Sequence, residues 1–301
     1  MNTQPMKPIN HLDHIEDTIL TGDFSIIREM FDQDNYISVK VDGCPALVWG
    51  THPKNDKFFV CTKSAFNKKK IKVCYTQTDI DEHFGHQENV HNILTFCLKY
   101  LPRTEGVFQG DWIGFGGDTN YKPNVVEYVF PEVVKENIII APHTFYTGSG
   151  CELYEMQPYP LEGDLISTSR CKFVTFKCEI NHNIKPLKIN SDGYTFFDKK
   201  DLVDVNKNIN RLIIEGVILN EDTLLPILGD VHLCNLYLLI VELKEQLMNS
   251  ITITEGPQVY INGVKSHGEG YVMHTKSGVT KLVDRNAFSA INFRQGAFSG
   301  R

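Results

Sequence analysis

Three short runs between residues 36 and 63, YISVKVD, PALVWG and KFFVCTK, are rich in β-branched and aromatic residues and are parted by turn formers. Segments this short and this apolar cannot stand alone, so they commit the chain to sheet structure early. Before them, residues 12 to 33 carry Ile15, Ile19, Ile26, Ile27, Met30 and Phe31 in a helical pattern, with Gly22 set to break the segment in two. After them, VHNILTFCLKYL (90–101) has the spacing of a core-facing helix, while GVFQGDWIGF (106–115) and ENIIIAPHTFY (136–146) read as strands. CKFVTFKCEI (171–180) reads as one further strand, and a Leu-rich helix is expected from Thr223 to Asn249. EGYVMHT and VTKLVDR are strands about a Ser-Gly turn at 277–278. The expected class is α+β, antiparallel strands with helices around them, in a single domain over 1–301 embellished at about 147–255.

A chain of 301 residues can bury a sizeable core. Its formal net charge of -7 argues against a non-specific coat for nucleic acid or membrane, although a local basic groove is compatible with an acidic protein. No uninterrupted apolar stretch is long enough to cross a bilayer, and MNTQPMKPINHLDHIED lacks a signal peptide's apolar segment. The eight cysteines are scattered with no CxxC pair, which suits reduced thiols in a cytoplasmic protein without membrane partners. Two His-x-x-His pairs, His11/His14 and His83/His86, lack two further ligands at metal-binding spacing and read as surface or capping histidines.

Within YISVKVDGCPALVWG, alternation puts Lys40 and Asp42 on one face and turns Val39 and Val41 to the core. Two readings are open. Asp42-Gly43 is a favoured hairpin turn, which would make Lys40 a solvated edge residue. Alternatively, a lysine among apolar neighbours loses solvation of its charged form, which favours the nucleophilic amine, and Gly43 lets a ligand approach the backbone. The run NKKKIK (67–72) is likewise either a solvated loop or a track for phosphates.

Further elements follow in order: Thr62-Lys63-Ser64 at a strand end, Asp111 in VFQGDWIGF, Glu269 with Gly270 and Val272 in HGEGYVMH, and Lys281 in GVTKLVD. With K-x-D-G this order resembles the covalent nucleotidyltransferases, the superfamily of ATP-dependent DNA and RNA ligases and mRNA capping enzymes. HLDHIEDTIL and DRNAFSAINF are similar to segments of ligase-like proteins from large tailed phages. The resemblance implies a ligase-type, ATP-grasp-like domain of two antiparallel sheets with flanking helices. It implies that Lys40 attacks the α-phosphorus of ATP, with Asp42 and Gly43 beside the nucleotide. Lys63 would contact ribose or the nucleic-acid end, and Asp111 would bind the ribose hydroxyl. Phe145 would stack on the base. Glu269, with Asp111, would hold Mg²⁺ (or Mn²⁺), and Lys281 would neutralise the α-phosphate.

The pattern departs from the family in three places. The family usually has glutamate where Asp111 stands. The last motif normally alternates two lysines, whereas Lys281 is flanked by Val279 and Val283, with Lys276 as a substitute only if the turn brings it round. Twenty residues after Lys281 leave no room for an OB domain, so none is expected; this disfavours capping and leaves a ligase that works with a protein partner or with the embellishment at about 147–255. The implied function is a polynucleotide ligase that carries AMP on Lys40 to a 5′-phosphorylated end, RNA ahead of DNA. The alternatives are transfer to a protein or small-molecule acceptor, and a non-catalytic phage protein that binds nucleotide or nucleic acid and keeps the fold.

Overall fold

The computed structural model describes residues 12–161, 163–181 and 193–285. The chain is α+β and divides into two compact units, each assembled from segments distant in sequence. Among the described residues the strands form four sheets, two per unit, where two sheets are expected.

The first unit comprises Val41–Phe176 and Glu255–Gly268 of the described chain. Its main sheet runs, edge to edge, Phe58–Thr62, Ala46–Thr51, Val107–Phe115, Ile138–Thr147 and Gln157–Pro160, all antiparallel, while Cys171–Phe173 pairs parallel to Ile138–Thr147. One face is covered by the helices Gln77–Phe84 and Glu88–Tyr100, which contribute Ile80 and Phe84, and Ile93, Leu94 and Cys97. The second helix repeats its apolar residues at i, i+1 and i+4, the stripe that lies flat on a sheet. Trp49 stacks on Phe108 and Phe173 with ring centroids 6.0 and 6.1 Å apart. Full burial of side chains this size contributes about 1.5–3 kcal/mol each, and these three rings share a core with Leu47, Phe59 and Ile140. The second sheet orders Val264–Lys265, Gln258–Ile261, Val126–Val129 and Asn120–Tyr121.

The other unit takes residues 12–40, Lys177–Thr254 and 269–285. Its three-stranded sheet sets Tyr271–His274 between Tyr36–Val39 and Val279–Leu282, and Lys177–Ile180 pairs with Ile251–Glu255. Ile15–Thr18, a 3₁₀ turn at Ile19–Thr21 and Ser25–Glu29 form the expected broken helix, with Gly22 at φ 77° between its halves. Leu202–Ile214 buries Val205, Ile209 and Ile213 at i, i+4 and i+8.

Three expectations are corrected. Tyr36–Val39 and Ala46–Thr51 are not a hairpin: the first pairs with Tyr271–His274, the second with the main sheet of the other unit. Asp42-Gly43 is therefore a connector, and Val41 is only half-buried rather than a core residue. CKFVTFKCEI is two strands in different sheets. The helix expected from Thr223 to Asn249 is two, Glu221–Leu228 and Val231–Ser250, because Gly229 ends the first in a left-handed conformation and Asp230 caps the second, accepting from the N–H groups of His232 and Leu233. His11, and DRNAFSAINF beyond Arg285, lie outside the described residues.

Candidate functional site

Lys40 follows directly on Tyr36–Val39, whose Ile37 and Val39 are buried. Its backbone N–H donates to the Gly270 carbonyl at 2.9 Å, extending the ladder one residue past the strand. Gly270 is required there: its φ is 133°, and a Cβ would collide with the Leu282 carbonyl. That ladder sets Glu269 beside Lys40, and the Lys40 ammonium donates to Glu269 Oε2 in an ion pair. Lys281 enters from the next strand, in register with Val272, and its N–H donates to the Asp13 carbonyl at 3.0 Å. Burial first, and the charge of Lys40 second, hold the Lys281 ammonium below the ordinary lysine range, against the pull of Glu269. Three residues from positions 40, 269 and 281 thus meet in one sheet. Lys276 does not join them; it is exposed at the turn, with Nζ 3.0 Å from Asp34.

The same unit holds a buried charge cluster whose Asp17 and Arg285 act electrostatically on Lys281. Lys244 Nζ donates to Glu16 Oε1 at 2.8 Å, and Arg285 donates to Asp17 Oδ1 and to the Tyr237 hydroxyl, both at 2.9 Å. Arg285 also reaches Asn210 Oδ1 at 2.6 Å. Glu16, Asp17, Lys244, Arg285 and Tyr237 are all buried. Desolvation raises the Asp17 pKa, against the opposing charge of Arg285. Burial works against the Arg285 charge, but Tyr237, Asp17 and Glu16 outweigh it and keep its pKa above the ordinary value. Helical spacing in HLDHIEDTIL marks Ile15 and Ile19 as apolar, but nothing local says that the two acids between them are buried.

The remaining candidates belong to the other unit. Asp42 is held at three points: its N–H donates to the Tyr128 hydroxyl at 2.8 Å, that hydroxyl donates to its carbonyl at 3.0 Å, and Asn124 Nδ2 donates to its carboxylate at 2.6 Å. Gly43 permits a close approach, since a Cβ would collide with the Trp112 carbonyl and meet Asp111 Cβ at 3.0 Å. Asp111 pairs with Ala46 across the sheet, and its carboxylate lies 3.8 Å from His143 Nε2. Gln109, two residues earlier on the same face, approaches His143 Nε2 at 3.5 Å and accepts from the Tyr146 hydroxyl at 2.7 Å. Burial pushes the Tyr146 phenol up to about 12. His143 reaches this row because it is the extra residue of an irregularity in the ladder: Gln109 pairs with Thr144, but Gly110 with Pro142. The period-2 placement of Gln109 and Asp111 was visible in QGD; the bulge that adds His143 was not. Phe145 points to the opposite face, where it packs on Phe108 at 5.6 Å as part of the core margin. Lys63 is exposed on a 3₁₀ turn, Lys63–Phe66.

No group of three or more His, Cys, Asp or Glu side chains converges as a metal cage among the described residues. Magnesium does not require one, since it is commonly held by one or two carboxylates together with phosphates and water. Glu269 is compatible with that role through the oxygen that Lys40 does not take.

The fold and these residues define an α+β protein with a lysine–glutamate–lysine cluster at one sheet end. A family model matches residues 9–211 and 228–296, and the chain belongs to that family, a family of unknown function (DUF6267). No curated protein and no solved structure matches the chain.

Proposed function

We propose that the protein is a ligase-type nucleotidyltransferase in which Lys40 becomes linked to AMP and passes it to a 5′-phosphorylated nucleic-acid end, RNA ahead of DNA. The observation that carries this reading is the convergence of Lys40, Glu269 and Lys281. A nucleophilic lysine needs to lose its proton, and Glu269 lies in contact to accept it; Lys281 supplies positive charge within the same sheet, where the α-phosphate is to be neutralised. In the first step the neutral Lys40 amine attacks the α-phosphorus. The Lys40 ammonium has first given one proton to Glu269; as the P–N bond forms and the bond to pyrophosphate breaks, the nitrogen gives up a second proton to solvent and keeps one N–H in the phosphoramidate. In the second, an oxygen of the 5′-phosphate attacks the same phosphorus, and Lys40 is released with a proton returned to it. Such transfers rest on positioning and charge neutralisation rather than on elaborate proton relays. Glu269 would hold Mg²⁺ or Mn²⁺, which supplies neutralisation of phosphate charge when bound. Asp42, Gly43, Lys63 and Asp111 belong to the other unit, and their roles rest on the resemblance alone. For base stacking, the core packing of Phe145 makes it a weaker choice than a ring on the face that carries Asp111.

Incubation with α-³²P-labelled ATP and, separately, GTP, with Mg²⁺ and pyrophosphatase, tests the reading. Acid-labile label on the wild type and none on Lys40→Ala is the expected result, with ATP the better donor. Absence of label from both nucleotides sinks it in favour of a binding protein. Label that moves to a protein or small molecule, and not to a 5′-phosphorylated RNA or DNA, replaces the acceptor.

A further inference from the structure

From Lys57 to Thr78 the chain has six lysines and not one acidic residue, in a protein whose net charge is -7. We infer that four residues of the first unit, Lys63, Lys68, Lys69 and Lys70, form a track for the phosphate backbone of a single-stranded nucleic acid; this deepens the proposed function, resting on it for the choice of acceptor.

All four side chains are exposed, and none makes an ion pair among the described residues. Elsewhere on the surface Lys54 is neutralised by Glu152, Lys276 by Asp34 and Lys200 by Asp198, while Lys99, Lys135 and Lys265 are exposed without an ion pair among the described residues; what sets this run apart is three adjacent lysines with no acidic residue near them in sequence. Clustered like charges repel, and a polyanion relieves that repulsion while releasing its own counterions.

The loop that carries them is built rather than loose. Thr62 caps the 3₁₀ turn, its hydroxyl 2.8 Å from that of Ser64. Asn67 Oδ1 accepts from the N–H groups of Lys69 and Lys70 at 3.0 and 3.1 Å, which holds the middle of the run in a turn. Lys72 is turned the other way: it donates to the His83 carbonyl at 3.0 Å and lies 4.7 Å over the Phe84 ring. Cys74 then exchanges two backbone hydrogen bonds with Val60, pinning the far end to the main sheet. Lys57 is excluded because it precedes Phe58–Thr62, and the six residue rises across that strand separate it from Lys63 by roughly 20 Å.

The track leads somewhere. Thr62 pairs with Leu47 and Leu47 with Gly110, while Ala46, one residue earlier, pairs with Asp111. Lys63 therefore starts level with Asp111 in the register of the sheet, two strand spacings or about 10 Å across. Phosphates bound along Lys68–Lys70 would continue through Lys63 toward the level of Asp111.

The test is fluorescence anisotropy of a labelled single-stranded RNA with the full chain, in EDTA and without nucleotide, across a salt series. The Lys68→Gln/Lys69→Gln/Lys70→Gln variant is expected to bind at least tenfold more weakly at low salt. The slope of log affinity against log salt should fall by about 2, near 0.7 per lost phosphate contact. The variant Lys199→Gln/Lys200→Gln/Lys207→Gln, equal in net charge, is expected to bind as the wild type. Equal losses in both variants, or none in the first, overturn the inference. So does polyglutamate that binds the wild type as tightly as RNA, since that identifies an acidic protein partner. Lys40→Ala is expected to retain RNA binding. A wild type that takes no label yet needs Lys68–Lys70 for RNA ends the transfer reading and leaves the track; the converse ends the track alone.

Discussion

Two groups of charged side chains show opposite solutions to the same electrostatic problem. In one unit Glu16, Asp17, Lys244 and Arg285 are buried and neutralise each other at 2.8–3.4 Å. In the other, Lys63 and Lys68–Lys70 are exposed, all of one sign and without carboxylate partners among the described residues. Charge removed from water has to be paired within the fold, and it then belongs to stability and positioning. Charge left in water without a partner costs the fold little and is available to a ligand. The buried cluster is close enough to Lys281 that its ammonium feels the charges of Asp17 and Arg285.

The comparison breaks most visibly at Lys244. Lys244→Met leaves Glu16 buried beside Arg285 alone and is expected to cost about 3–5 kcal/mol in urea unfolding. Adding Glu16→Gln should restore part of that loss, because the uncompensated charge is then gone. A double variant that loses the sum of the two single losses would mean that the pair is not coupled.

A second effect belongs to His274, on the middle strand of the same three-stranded sheet. Burial lowers its pKa from 6.5 to about 4, while the Tyr36 ring lies 5.3 Å away. The unfolded chain therefore binds a proton that the folded chain refuses between those values, and the stability this histidine allows above pH 6.5 is lost as pH falls toward 4. Measured by thermal unfolding, the wild type should lose stability relative to His274→Gln across that window. A constant difference refutes the assignment.

Lys281→Met separates stability from chemistry at one residue. Burial opposes the Lys281 charge, so the substitution should leave unfolding unchanged or slightly improved. Label formation on Lys40 should nevertheless fall by about 10²-fold or more, the scale expected when a charge that stabilises the transition state is removed. Smallest of all, the triple glutamine variant of Lys68–Lys70 should unfold within about 0.5 kcal/mol of the wild type. A larger loss would place those lysines with the buried group rather than against it.

Much of the fold was legible where one residue pattern dictates one partner surface. The helix Glu88–Tyr100 and the strands Val107–Phe115 and Ile138–Thr147 follow their expected spans within two residues, because their apolar stripes are long and regular. Gly229-Asp230 carried a stop and a start signal that the Leu-rich composition around it concealed. The hairpin expectation at Asp42-Gly43 failed for a different reason. Turn propensity describes a local preference, and here each flanking strand found a better neighbour far along the chain.

By itself the sequence determined the α+β class, the alternation that sets Gln109 and Asp111 on one face, and the local charge of the Lys57–Thr78 segment. These depend on spacing and composition, which act over a few residues. Only the tertiary structure decided that Lys40 is held by Glu269, that Lys281 and not Lys276 stands beside them, that His143 joins Asp111, and that Glu16 and Asp17 are buried. Each of those depends on strand register or desolvation, and both are set by contacts between residues that the chain keeps far apart.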